Sequence, residues 1–171
     1  MSVLIVIPAR YASVRYPAKP LAELKGASGQ SRSLIQRAWE AASAVKGVDR
    51  VVVATDDDRI KHAAEAFGAD VVMTPESCAN GTERCASAYD VLGSDAEIVV
   101  NLQGDAPLTP AWFVEDLIEA MRATPAADIA TPVLRCEGRA LNGFLADRKA
   151  GRVGGTTAVF DVNMRAMYFS K

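Results

Sequence analysis

Residues 2–10, SVLIVIPAR, decide the fold. Val3 to Ile7 form an unbroken apolar run with no polar alternation, as expected for a strand buried on both faces, and Pro8 marks its end. The next stretch, RYASVRYPAKP (10–20), carries three cations, Arg10, Arg15 and Lys19. Pro8, Pro17 and Pro20 lie among them, so the stretch does not suit a helix. The first segment asks for a parallel sheet. The second asks what a sheet does with three cations at the carboxyl end of its first strand.

Working outward, four more segments read as strands: RVVVAT (50–55), DVVMT (70–74), EIVVNLQ (97–103) and DIATPVL (128–134). Helical patterns fall between them. SLIQRAWEAASAV puts Leu34, Ile35, Ala38, Trp39, Ala42 and Val45 on one face, and DRIKHAAEAFG does so with Ile60, Ala63, Ala64 and Phe67, with Gly68 as a stop. TERCASAYDVLG offers Cys85, Ala86, Tyr89 and Leu92. TPAWFVEDLIEAMRA starts with Thr109 as cap and Pro110 in the first turn, then Phe113, Leu117 and Met121. Strand and helix alternate, which predicts an α/β fold with a doubly wound, mostly parallel sheet. The tail RVGGTTAVFDVNMRAMYFSK predicts two short strands joined as a hairpin at VFDVNM. There is no internal repeat and no low-complexity run.

The chain has 171 residues, half of them hydrophobic and 23% charged, with a net charge of −2. This is ordinary globular composition, and the expectation is a single α/β domain over 1–171. A near-neutral chain has no global field for nucleic acid or an acidic membrane, so any anion site must be local. The first strand is too short to span a bilayer and no signal-peptide pattern precedes it, so the expected compartment is the cytoplasm. Cys78, Cys85 and Cys136 make no CxxC pair, and His62 sits on the solvent side of a predicted helix, so neither zinc nor a disulfide framework is indicated. No GxGxxG follows the first strand and no GxxxxGK[ST] occurs. ATDDD (54–58) reads as the acidic start of a helix.

In an open α/β sheet, ligands sit beyond the carboxyl ends of the strands. About two dozen residues separate the first strand from the first helix, far more than an ordinary βα loop holds. Arg10, Arg15 and Lys19 on a proline-stiffened loop suit a polyphosphate, since arginine grips phosphate oxygens with a bidentate fork and lysine supplies a point charge. The competing reading is a solvated loop. The second unusual strand end is NLQGDAPLTP, where Gly104 lets the backbone turn and Asp105 can hold Mg²⁺. A turn aspartate is the alternative there.

Taken in order, IPARYASVRYPAKPL, ANGTER and NLQGDAP closely resemble the 3-deoxy-D-manno-octulosonate (Kdo) cytidylyltransferases, or CMP-Kdo synthetases. ATDDDRI and MYFSK are similar to their counterparts, so the likeness covers essentially the whole chain. The resemblance implies a nucleotide-diphospho-sugar transferase fold of the glycosyltransferase-A-like kind. It implies an enzyme that joins CMP to an eight-carbon sugar acid, uses CTP with Mg²⁺ as cofactor, releases pyrophosphate and serves lipopolysaccharide synthesis. A homodimer is the expected assembly. Carried over by motif, Pro8 and Ala9 line the cytosine pocket through their backbone, and Arg10, Arg15 and Lys19 hold the triphosphate. Asn80 and Gly81 lie near base and ribose, Arg84 and Gln103 point toward nucleotide or sugar, and Asp105 binds the metal. Asn80 stands where the family has serine, and Ala106 where it has glutamate. Full-length members extend well past MYFSK, so the chain is expected to be cut short at its carboxyl end, without a second metal-binding aspartate and most of the sugar pocket. Two alternatives stay open: a synthetase for another sugar acid, such as a sialic acid, and a nucleotide-binding fragment without turnover.

Overall fold

The computed structural model describes residues 1–12, 16–152 and 155–170. The chain divides into two compact units, Met1–Ala130 and Thr131–Lys171. In the first, β1 (Val3–Ala9) is followed by a short antiparallel hairpin of β2 (Glu23–Lys25) and β3 (Ser31–Ser33). Then come α1 (Leu34–Ser43), β4 (Arg50–Thr55), α2 (Asp58–Ala66), β5 (Asp70–Met73), α3 (Gly81–Val91), β6 (Ile98–Asn101) and α4 (Ala111–Ala123).

The main sheet is parallel, in the order β5–β4–β1–β6, with Ile5 level with Val51 on one side and Val100 on the other. All seven residues of β1 are buried. Alternate side chains feed two different layers. Val3, Ile5 and Ile7 pack with Val53, Ile35, Ile60, Val114 and Ile118 on the face covered by α1, α2 and α4. Leu4 and Val6 pack with Val52, Ala54, Cys85 and Ala88 on the face covered by α3. Two buried faces are why the strand sequence shows no alternation. Each large aliphatic side chain so buried contributes about 1.5–3 kcal/mol.

Several local expectations shift. The inward face of α4 is Val114 and Ile118, one position along from Phe113 and Leu117, which are half-buried. The cap of α4 is Pro110; Thr109 instead donates its hydroxyl to the Ala106 carbonyl at 3.0 Å. In α3, Ala86 is exposed and the buried residues are Arg84, Cys85 and Ala88. Residues 128–134, expected as a strand, form none: Ile129 and Leu134 are 86% and 76% exposed. An apolar run becomes a strand only where a neighbour completes its ladder, and among the described residues none does.

The second unit holds α5 (Gly138–Lys149) and an antiparallel hairpin of β7 (Thr157–Phe160) and β8 (Ala166–Ser170). The hairpin forms where VFDVNM predicted it. Its turn is fixed by the Asp161 carboxylate, whose Oδ1 accepts from the backbone N–H of Asn163 at 2.8 Å and of Arg165 at 2.9 Å. Helix α5 was not expected; it buries no residue, so it writes no apolar stripe into the sequence. Among the described residues no helix is long and apolar enough to cross a membrane.

Candidate functional site

From β1 the chain builds β4 and then β5 to one side, and later places β6 on the other side of β1. Between β1 and β6 the strand order therefore reverses, and their carboxyl-end loops diverge around a crevice, the place where open α/β sheets bind ligands. A cleft of about 280 Å³ opens there. Pro8, Ala9 and Arg10 line it from β1, Lys19 and Pro20 from the returning arm of the long loop. Ala79, Asn80, Gly81 and Arg84 line it from the start of α3, and Gln103, Gly104 and Asp105 from the loop after β6. Of the ten site residues that the resemblance implied, nine thus border one cleft, and Arg15 lies outside the described residues.

Two glycines let the three backbones meet. A Cβ on Gly104 would lie 2.8 Å from the Pro8 carbonyl oxygen, closer than real side chains come. A Cβ on Gly81 would lie 3.1 Å and 3.2 Å from the side-chain amide atoms of Gln103 and 3.3 Å from Pro8 Cγ. The β6 loop can therefore close on the end of β1 only with no side chain at Gly104, while at Gly81 a side chain fits only if its neighbours give way. Gln103 is further steered by donating to Asn101 Oδ1 at 2.9 Å.

Charge is arranged in two tiers. At the mouth, Arg10 is exposed, and Lys19 Nζ donates to Asp105 Oδ2 at 2.5 Å. Below, Arg84 is 2% exposed. Its Nη1 donates to Thr74 Oγ1 and its Nη2 to Asp56 Oδ2, each at 2.6 Å. Thr74 in turn donates its hydroxyl to the Thr55 carbonyl at 3.2 Å, so the end of β4, the segment after β5 and α3 are tied together under the cleft. Asp56 was expected only as part of a helix start. That role belongs to Asp57, whose Oδ1 accepts from Arg59 N at 2.9 Å as the cap of α2.

Asn80 also has a local duty that its motif concealed. Its Oδ1 accepts from Glu83 N at 3.0 Å, its Nδ2 donates to Glu83 Oε1 at 2.9 Å, and Glu83 Oε2 accepts from Ala79 N at 2.9 Å. This is a capping box, legible as Asn80 with a glutamate three residues on. The returning arm of the loop carries strain: Ala18 has φ 58°, a left-handed conformation unusual for a residue with a Cβ, and it immediately precedes the short 3₁₀ turn Lys19–Leu21. Cys78, Leu34 and Pro20 complete the lining and carry no sequence signal of their own.

Comparison with known proteins fits this arrangement. The chain is 51% identical over its full 171 residues to the 3-deoxy-manno-octulosonate cytidylyltransferase of Maricaulis maris, covering 64% of that protein. It is 41% identical over its full length to the 8-amino-3,8-dideoxy-manno-octulosonate cytidylyltransferase of Shewanella amazonensis, covering 65% of it. The chain thus spans less than two thirds of the length of these relatives. Among solved structures, a CMP:2-keto-3-deoxy-manno-octonic acid synthetase complexed with CTP superposes with a TM-score of 0.81 at 35% identity, over 99% of this chain and 64% of that one. The predicted fold class, a mostly parallel α/β sheet followed by a hairpin, is the fold of that synthetase. The family profile described as cytidylyltransferase matches residues 4–142, which takes in the whole sheet, every described wall of the cleft and most of the chain, and on that span this chain belongs to the cytidylyltransferase family.

Proposed function

We propose that the full-length protein is a CTP-dependent cytidylyltransferase that activates an eight-carbon ulosonic acid, Kdo or a close derivative, and that this chain holds its nucleotide-binding part. The observation that carries the reading is the convergence of Pro8–Arg10, Lys19, Asn80–Gly81 and Gln103–Asp105 on one cleft at the sheet's switch point. The relatives' names and the neighbour's bound CTP supply the identity of the nucleotide and the class of sugar.

In this reaction the sugar's anomeric hydroxyl gives up its proton to water as its oxygen bonds to the α-phosphorus of CTP. The bond from that phosphorus to the bridging oxygen breaks, and pyrophosphate carries off the negative charge. Catalysis of such a transfer rests on positioning and charge stabilisation. Arg10 and Lys19, with Arg15 by its sequence position, hold the phosphates. Backbone groups of Pro8 and Ala9, with Asn80 and Gly81, border the base and ribose.

A divalent cation fits the donor set. Asp105 brings a hard carboxylate oxygen to the mouth of the cleft, and Mg²⁺ takes one or two carboxylates and fills its other positions with phosphate oxygens and water. Among the described residues there is no cluster of three or more His, Cys, Asp or Glu side chains. When bound, Mg²⁺ neutralises charge on the phosphates.

The test uses the full-length protein. CTP with Mg²⁺ should raise the melting temperature more than ATP, GTP or UTP does, since a ligand bound only by the folded state stabilises it by mass action. Kdo with CTP should release pyrophosphate. Equal shifts by all four nucleotides would remove the cytidylyl assignment. Because some relatives are named for the 8-amino sugar, Kdo and 8-amino-3,8-dideoxy-manno-octulosonate are compared by kcat/KM, with Kdo expected to be preferred, as for the Maricaulis relative at higher identity.

A further inference from the structure

The cationic loop leaves β1 at Arg10 and returns at Ala18, where the Ala18 N–H donates to the Tyr11 carbonyl at 3.0 Å. Tyr11 is thus the stem of the loop, one residue from Arg10 and joined by a hydrogen bond to the residue before Lys19. Its side chain packs against the apolar core on the α1/α2/α4 face of the sheet. The guanidinium carbon of Arg59, in the first turn of α2, lies 3.3 Å from the centroid of the Tyr11 ring.

Arg59 is itself held. Its Nε donates to Asp57 Oδ1 at 3.0 Å and its Nη2 to Asp57 Oδ2 at 2.6 Å. Asp57 is fixed in turn as the cap of α2. A planar guanidinium gripped along one edge by a carboxylate keeps its face free for an aromatic ring, which an ammonium on a flexible stem cannot imitate. Neither Arg59, Asp57 nor Tyr11 lines the cleft.

We propose that Arg59, clamped by Asp57 and stacked on Tyr11, is a positioning residue that fixes the stem of the cationic loop and so the reach of Arg10 and Lys19. Its kinetic consequence rests on the reading of the cleft as a CTP site; its effect on the loop does not. Losing a largely exposed cation–π contact opens the stem about two- to five-fold more often.

The experiment uses full-length protein and two readouts. The first is trypsin cleavage after Arg10 and Arg15, followed by mass spectrometry without nucleotide. Arg59→Leu and Tyr11→Leu should each speed it by up to about two- to five-fold. The double variant should be no faster than the faster single, because both remove one contact. Tyr11→Phe keeps the ring and should stay within about two-fold of wild type. Arg59 is exposed, so Arg59→Leu against Tyr11→Phe carries the test if Tyr11→Leu does not fold. The second readout is kinetic: KM for CTP should rise, the rises in cleavage and in KM together making up the change in stem opening, while kcat changes less than about two-fold, as for a contact that orders the binding loop equally in ground and transition states. Cleavage unchanged in Arg59→Leu, or single effects that multiply in the double variant, would overturn the anchor even in an enzyme that uses CTP. A wild type that ignores CTP while Arg59→Leu still loosens the loop would overturn the cytidylyl reading and leave the anchor standing.

Discussion

Lys19 Nζ donates to Asp105 Oδ2 at 2.5 Å, across 86 positions of sequence and between the loops that follow β1 and β6. The side chains are 42% and 53% exposed, so the pair is solvated and adds at most about 1 kcal/mol to folding. Under the proposed function Lys19 serves phosphate and Asp105 serves the metal, so both would let go on nucleotide binding, and the weakness of the pair would keep that exchange inexpensive. Asp105→Asn should therefore leave the urea midpoint nearly unchanged, while pyrophosphate release from CTP and Kdo drops by roughly two to three orders of magnitude. Turnover within about two-fold of wild type at saturating Mg²⁺ would reduce Asp105 to a turn residue.

The two cleft glycines separate by what their missing side chains would strike. A Cβ on Gly104 meets the Pro8 carbonyl at 2.8 Å, and backbone in the central strand cannot give way. A Cβ on Gly81 meets the end of Gln103, which can rotate. Gly104→Ala should cost about 1–3 kcal/mol in chemical denaturation, the scale of overpacking, and weaken CTP binding; Gly81→Ala should cost less. Equal losses for the two would mean that the loops do not close as tightly as these distances require.

The parallel sheet was legible because Val3–Ile7 and Val52–Ala54 are buried on both faces and say so in composition alone. The cationic loop was legible because charge and proline interrupt that pattern where a strand ends. What escaped is physics that leaves no periodic trace. Asn80 reads equally as a ligand contact and as a helix cap, and only the 3.0 Å bond to Glu83 N shows the cap in place. Asp56 and Asp57 are adjacent and identical in type; one caps α2 and the other neutralises Arg84 from 28 positions away. Residues 128–134 have strand composition but no ladder partner among the described residues. Composition reports what a segment would bury, and the fold decides whether anything covers it.

The three cysteines should react in a fixed order. Burial pushes the Cys85 thiol up to about 12, so at pH 8 only roughly one part in ten thousand is thiolate. Cys136 is exposed, and Cys78 is half-buried in the cleft wall. Alkylation of the native protein followed by peptide mapping should find Cys136 modified first and Cys78 next. Cys78 should be slowed by CTP with Mg²⁺, and Cys85 should be modified only in denaturant. As pH rises from 7 to 9 Cys85 should stay silent in the native protein. Labelling of Cys85 before unfolding would contradict its packing against Ala88 and the β1–β4 strands.

The Arg84–Asp56 pair gives the sharpest division between holding the cleft and touching a ligand. The two side chains are 3% and 14% exposed, so each charge depends on the other. Asp56→Ala leaves a guanidinium in the interior with Thr74 as its remaining named partner, and the unfolding free energy should fall by about 3–5 kcal/mol. Thr74→Val removes the bond accepted from the Arg84 guanidinium and the one donated to the Thr55 carbonyl, and should cost about 2–4 kcal/mol. Replacing the whole pair is different, since an apolar side chain of similar volume asks for no counter-charge. Asp56→Ala with Arg84→Met should recover most of the stability lost in Asp56→Ala alone. Thr74 and Asp56 take two of the five guanidinium N–H bonds, each at 2.6 Å; if Arg84 serves the cleft only as its floor, CTP binding should return with the stability. Urea midpoints and a CTP titration on the same preparations decide it. Recovered stability without recovered binding would mean that Arg84 also reaches the nucleotide, which is the role its GTER motif suggested.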